Sequence, residues 1–101
     1  MSKYTLVFHH QTAADYDDGY AWYEDRQKGL GDTFLIAINE KVKQVCDNPE
    51  LFSEKSKRGF FEAVLKDFPY TVVYKIYKKE KIILITSIHH QKKHPKSKYR
   101  K

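Results

Sequence analysis

Cysteine is almost missing from this chain: Cys46 stands alone, so no internal disulfide can form. No apolar run approaches the ~20 residues that a bilayer-spanning helix needs. The N-terminus, MSKYTLVFHH, carries one Lys and a very short apolar run, without the pattern of a secretion signal. A cytoplasmic protein is therefore the expectation. Glycine and proline are scarce, at four and three residues, and no low-complexity linker or internal repeat divides the chain. There is no Gly-rich phosphate loop, no dinucleotide fingerprint and no Ser nucleophile motif. The 101 residues suit one domain, residues 1–101, with 89–101 as a basic tail.

What the chain does have is aromatic and charged. Aromatics make up 15% of it and charged residues 32%, of both signs, which argues for a folded domain rather than disorder. The charge is divided unevenly. Residues 1–50 hold five Lys/Arg against nine Asp/Glu, while residues 51–101 hold fourteen against four. Such a split points one end of the molecule at an anionic partner. The tail HHQKKHPKSKYRK contains no acid at all.

The hydrophobic pattern predicts the element order. Tyr4–Phe8 is β-branched and aromatic, a first strand. Thr12 with Asp15 opens a helix running to about Lys28, with Tyr16, Tyr20, Tyr23 and Gln27 along one face. Gly29-Leu30-Gly31 breaks it, and Asp32 is placed to cap a second helix with Leu35, Ile38, Val42 and Val45 as its core face. Cys46 reads as a small buried hydrophobe beside them. Asn48-Pro49 ends that helix, because the residue before proline avoids the α region. Three strand-like runs follow: Phe60–Lys66, Tyr70–Tyr77 and Lys81–Ile88. Their short connections require antiparallel neighbours. The last two are apolar at nearly every position, so both sheet faces should be covered. The predicted fold is α+β, in the order β-α-α-β-β-β: a helical hairpin packed on an antiparallel sheet, with the tail leaving the body after a brief extension of the last strand.

Five short motifs in that order resemble the RelE/ParE toxin superfamily. Gly29-Leu30-Gly31-Asp32-Thr33-Phe34 opens the second helix and Asn48-Pro49 closes it. Phe68-Pro69-Tyr70 leads into Val72, Val73 and Tyr74. Ser87-Ile88-His89-His90 with Pro95 resembles the family's terminal motif, with Lys93 where Arg is usual. The resemblance covers nearly the whole chain and implies a toxin neutralised by a cognate antitoxin. It implies two possible targets: DNA gyrase, bound and inhibited, in ParE-like members, or mRNA on the ribosome, cut without a metal, in RelE-like ones. The tail is more similar to the ParE-like branch. Relatives that cut RNA often carry Arg at the positions of Thr71 and Phe61. A third reading is an inactive or orphan member that binds nucleic acid or protein.

These readings nominate residues. A ribonuclease would draw on His90, Lys93, Tyr99 and Arg100, since RNA cleavage needs an acid or base and cations against the developing charge. A target or nucleic-acid surface would use Lys55, Lys57, Arg58, Lys92, Lys93, Lys96 and Lys98. Trp22 falls off the tyrosine face of the first helix and is the antitoxin-contact candidate, because tryptophan is enriched at interaction hot spots. His89, His90 and His94 lack a nearby acidic or thiol ligand, so neither a metal nor a cofactor is expected.

Overall fold

A computed structural model describes residues 3–55, 58–93 and 98–100. The elements are β1 (Thr5–Phe8), α1 (Thr12–Arg26), α2 (Leu30–Asp47), β2 (Ser53–Glu54), β3 (Phe60–Val64), β4 (Tyr70–Tyr77) and β5 (Ile82–His90). The strands form one sheet in the order β1-β5-β4-β3-β2. The predicted order holds, with one short added strand, β2.

The sheet is mixed rather than wholly antiparallel. β3, β4 and β5 form the expected antiparallel meander, but β1 lies parallel to β5, with Thr5 beside Ile82 and Phe8 beside Ile85. Short turns fix the direction of the meander strands. No turn joins β1 to β5, and nearly the whole chain lies between them, so turn length carried no information about that pairing.

The α1–α2 hairpin covers one sheet face. α2 buries Phe34, Ile38, Val42 and Val45 against β4 and β5. Leu35, expected on that face, is only partly buried, and Phe34 takes its place. Spacings of three and four both fit a helical stripe, so a neighbouring pair of apolar residues leaves the phase open. α1 departs further from expectation. Its inner face is Thr12, Asp15, Gly19 and Tyr23, with Tyr16 and Tyr20 at the margins. Gly19 sets this phase. A Cβ there would lie 2.5 Å from the ring of Phe34, so only glycine lets the helices approach so closely. Cys46 is partly buried.

Asp32 sits in the first turn of α2, but the cap comes from the other helix. The Glu24 carboxylate accepts the backbone N–H groups of Gly29 and Gly31 at 2.9–3.1 Å. This satisfies donors that a helix start leaves unpaired and puts a negative charge at the positive end of the helix. Gly29 has φ +89°, a left-handed conformation that glycine adopts without strain. Tyr74, buried in the sheet, donates to the Pro49 carbonyl and pins the end of α2 to β4.

β5 contains a bulge. Val73 pairs with Ser87 and Tyr74 with Ile85, which leaves Thr86 as the extra residue. Its hydroxyl donates to the Val73 carbonyl. A bulge reverses the alternation of faces. Before it Ile83 and Ile85 point to the helices, and after it Ile88 does so. Ser87 and His89 are therefore turned to the outer face.

Candidate functional site

Two groups of candidate side chains are positioned by this frame, one at a cleft beside α1 and one around the carboxylates of Glu62 and Asp15. The first lines a cleft of about 640 Å³ between α1 and the adjoining ends of β4 and β5. α1 supplies Asp18, Trp22 and Tyr23, the turn into β4 supplies Pro69 and Tyr70, and the exit from β5 supplies His90, Lys92 and Lys93. The floor is aromatic. Tyr23 packs edge-on to Phe68 with ring centres 5.0 Å apart and against Phe34 at 5.1 Å. Tyr70 meets Phe34 at 4.8 Å and His90 at 5.0 Å. Burial pushes the Tyr70 hydroxyl up to about 12, with Tyr23, Asp15 and Asp18 adding to it, so it remains a neutral donor at physiological pH.

Trp22 stands at the rim with half its surface exposed, and the Arg26 guanidinium lies 3.2 Å over its ring. Such stacking holds an exposed indole in one orientation. Across the cleft, Lys92 and Lys93 are exposed. The turn carrying them is fixed by Gln91 N–H donating to the Pro69 carbonyl and Lys93 N–H donating to the His90 carbonyl. The Lys92 N–H donates to Nδ1 of His90, which assigns any ring proton of the neutral imidazole to Nε2. Burial, then Lys92 and Lys93, pull the His90 pKa below its usual value. The cleft thus offers an aromatic socket, one neutral imidazole, two ammonium groups and one carboxylate.

The second group lies partly on the outer face, around Glu62, and partly at the edge of β5, around Asp15 of α1. Tyr99 stacks on Phe60 at 4.8 Å and donates its hydroxyl to Glu62. Lys98 Nζ pairs with the same carboxylate at 2.9 Å. Ser87 Oγ donates to the Lys98 carbonyl. Arg100 grips Asp15 through both terminal nitrogens, at 2.6 and 2.9 Å. Asp15 also accepts the backbone N–H of Ile88, on a stretch of β5 that runs past the end of β1. The tail residues Lys98–Arg100 therefore fold back onto the sheet instead of leaving the body. The buried carboxylates Glu62 and Asp15 hold them there.

The nominated residues are divided accordingly. His90, Lys92, Lys93 and Trp22 come together at the cleft. Tyr99 and Lys98 gather at Glu62 on the other face and Arg100 pairs with Asp15 of α1, so the four residues His90, Lys93, Tyr99 and Arg100 are not brought together as one cluster. Arg58 lies near that outer group, 5.2 Å from the Phe60 ring and 6.0 Å from that of Tyr99. Lys55 is exposed beside β2. Lys57, Lys96 and His94 lie outside the described residues. Among the described residues, no group of three or more His, Cys, Asp or Glu is arranged for a metal. No helix among them is long and apolar enough to cross a membrane.

Sequence reasoning gave Asp15 only a capping role with Thr12, whereas the N-cap of α1 is Gln11 without a side-chain cap, and it passed over Glu62. Both had a local signal. Asp15 falls at helical spacing with Thr12, Gly19 and Tyr23, and Glu62 falls two residues from Phe60 on the same strand face. An acid in such a position needs a cationic partner, and the acid-free tail is the obvious source.

A helical hairpin packed on one face of a small mixed sheet matches the α+β fold of the RelE/ParE toxins. Residues 6–95 match the family described as ParE toxin of type II toxin–antitoxin system, parDE, and the chain belongs to that family. Among solved structures it is similar to a chain of the chromosomal ParDE toxin–antitoxin system from P. aeruginosa. The TM-score is 0.75 at 21% identity, over 86% of this chain and 95% of that one. It is also similar to E. coli toxin RelE, solved in the free state with two arginine-to-alanine substitutions. There the TM-score is 0.67 at 17% identity, over 91% of this chain and 86% of that one. No curated protein matches the chain.

Proposed function

We propose that this ParE-family toxin acts in the cytoplasm by binding and inhibiting a cellular target such as DNA gyrase, and that a cognate antitoxin neutralises it through the cleft around Trp22. One observation carries the reading: His90 packs on Tyr70 on the helix-covered side, Tyr99 is engaged by Phe60 and Glu62 on the other side of the sheet, and Arg100 is taken up by Asp15, so the nominated groups are held in separate contacts. Proton transfer requires groups within hydrogen-bond reach of one reacting centre. Binding needs only complementary surface, and this molecule presents an aromatic socket beside exposed lysines. An antitoxin segment that seats an apolar side chain between Trp22 and Tyr70 and sets acids against Lys92 and Lys93 would complement both.

Ribosome-dependent mRNA cleavage is the second reading. It is favoured by His90, whose imidazole is kept neutral and flanked by Lys92 and Lys93. The two readings separate in one experiment. Expression of the chain alone should arrest growth and inhibit gyrase supercoiling, with ribosome-bound mRNA intact. Cut mRNA with gyrase unaffected would reverse the choice, and unimpaired growth would sink the toxin reading. Co-expression of the neighbouring antitoxin gene should restore growth.

A further inference from the structure

One patch of the outer face, where β3, β4 and β5 meet the C-terminal segment, is buried yet largely polar. Glu62, Thr71, Ser87 and His89 are all under 10% exposed, with Phe60 and Val73 buried among them and Val64, beside Thr71, left exposed. The helix-covered face is closed by hydrophobic burial, but this one is closed by charge. Lys98 and Tyr99 converge on Glu62, Ser87 holds the Lys98 carbonyl, and Arg100 is clasped by Asp15. Among the described residues, the tilted Tyr99–Phe60 pair is the one ring contact that Tyr99 makes with another aromatic of the sheet.

This construction is unlike a terminus that finishes a core. Three consecutive residues are held by two carboxylates placed on different elements, Glu62 on β3 and Asp15 on α1. Ion pairs at partly exposed sites exchange with solvent and with competing charges far more readily than apolar contacts do. Lys98 and Arg100 keep about a fifth of their side-chain surface exposed, 23% and 17%, so water and ions can reach them.

We propose that Lys98–Arg100 is a latch. In the free protein Glu62 and Asp15 hold it against the sheet, which withdraws two cations and a phenol of the basic tail from solution. Its release makes them available to an acidic surface. The latch itself depends on no functional assignment. Its regulatory consequence, that release strengthens toxicity, rests on the target-binding reading above.

The test leaves the tail intact and alters only the body. Asp15→Asn retains an oxygen to accept the Ile88 N–H, and Glu62→Gln retains an acceptor for Tyr99. Both remove the charge that holds a cation. In the full chain, backbone nitrogen relaxation should show residues 98–100 as rigid as β5 in the original protein at low salt. In the double variant they should have the fast motion of a free terminus, with β3–β5 amide shifts otherwise preserved. If the double variant does not fold, Glu62→Gln alone and a salt titration of the original protein serve the same comparison. A tail that is already mobile in the original protein, or one still rigid in the folded variant, would overturn the latch. Growth arrest should need several-fold less inducer in the variant than in the original. Equal or weaker arrest, with the tail shown to be released, would overturn the regulatory role. If neither chain arrests growth, the toxin reading fails, and the relaxation data alone still decide whether the latch exists.

Discussion

Asp15 and Arg100 lie 85 positions apart in the chain and meet in a two-pronged ion pair, with the Asp15 carboxylate also holding the Ile88 N–H of β5. One carboxylate thus ties α1, the last strand and the C-terminal segment together. Arg100→Ala should lower unfolding free energy by about 1–3 kcal/mol, at or below the lower end for breaking a buried pair because Arg100 is partly exposed. Asp15→Ala should lower it further, since it also strands the strand amide. Urea denaturation of both variants and their double mutant checks the ranking and the coupling.

Tyr99 tests the other half of the same segment. Its hydroxyl donates to Glu62, and its pKa is pushed up to about 12 by burial first and Glu62 second. A hydrogen bond to a charged acceptor contributes about 1.5–3 kcal/mol. Tyr99→Phe keeps the stack on Phe60 and should show a loss in the lower part of that range. Tyr99→Ala removes the stack as well and should lose more. Equal melting temperatures for the Phe variant and the original protein would mean that the hydroxyl is not held in solution.

Gly19 is the sharpest steric constraint in the fold. Alanine usually favours a helix interior by about 1 kcal/mol over glycine. Here its Cβ would sit 2.5 Å from Phe34, which is fully buried and cannot retreat. Overpacking of this kind costs about 1–3 kcal/mol, so Gly19→Ala should be net destabilising. Gly31→Ala is the informative comparison. Its Cβ would meet the half-buried Tyr20 ring at 2.7 Å and the Glu24 carboxylate at 2.9 Å, and both can shift. Thermal melts should rank Gly19→Ala as the worse of the two.

The sequence made local relationships readable and distant ones obscure. β4 and β5 were evident from their unbroken apolar runs, and α2 from Ile38, Val42 and Val45. Phe34 was missed because a stripe written with Leu35 fits almost as well. The parallel β1–β5 pair and the Thr86 bulge had no turn to announce them. At the site, Trp22 stood out because it left the tyrosine stripe. The fate of Tyr99 and Arg100 did not, since composition describes a basic tail equally well whether it is free or clasped. Only the positions of Glu62 and Asp15 decide that, and both meet the tail across long stretches of chain.

His89 makes stability depend on pH. It is buried on the outer face, and burial, then Lys98, lower its pKa, against a hydrogen bond to the Lys93 backbone, with Lys93 and Asp15 contributing less. The unfolded chain, with an ordinary imidazole value near 6.5, takes up the proton first as pH falls. Stability should therefore decline as pH drops below about 6.5 and recover as it rises. The His90 pKa is also lowered, so it adds to the slope with the same sign. Melting temperatures measured from pH 7.5 to 5 should fall less steeply in His89→Gln than in the original protein. A parallel pair of curves would show that His89 is not the group responsible.

The proposed antitoxin contact at Trp22 can be measured directly. Half-exposed at the rim of an aromatic cleft and steadied by Arg26, the indole contributes little to the core. Trp22→Ala should change stability by less than about 1 kcal/mol, the range of a surface residue with one cation–π contact. Binding should suffer much more. An aromatic hot spot is worth about 2 kcal/mol or more, which is a loss of roughly thirtyfold or greater in affinity for the antitoxin. Ile36 is the control. It is exposed at 59%, lies on α2 and is not part of the cleft. Calorimetric titration of antitoxin into both variants should find Ile36→Ala unchanged and Trp22→Ala weakened. If Ile36→Ala weakens binding and Trp22→Ala does not, the antitoxin lies along the helical hairpin rather than in the cleft, and Lys92 and Lys93 lose their assigned role in holding it.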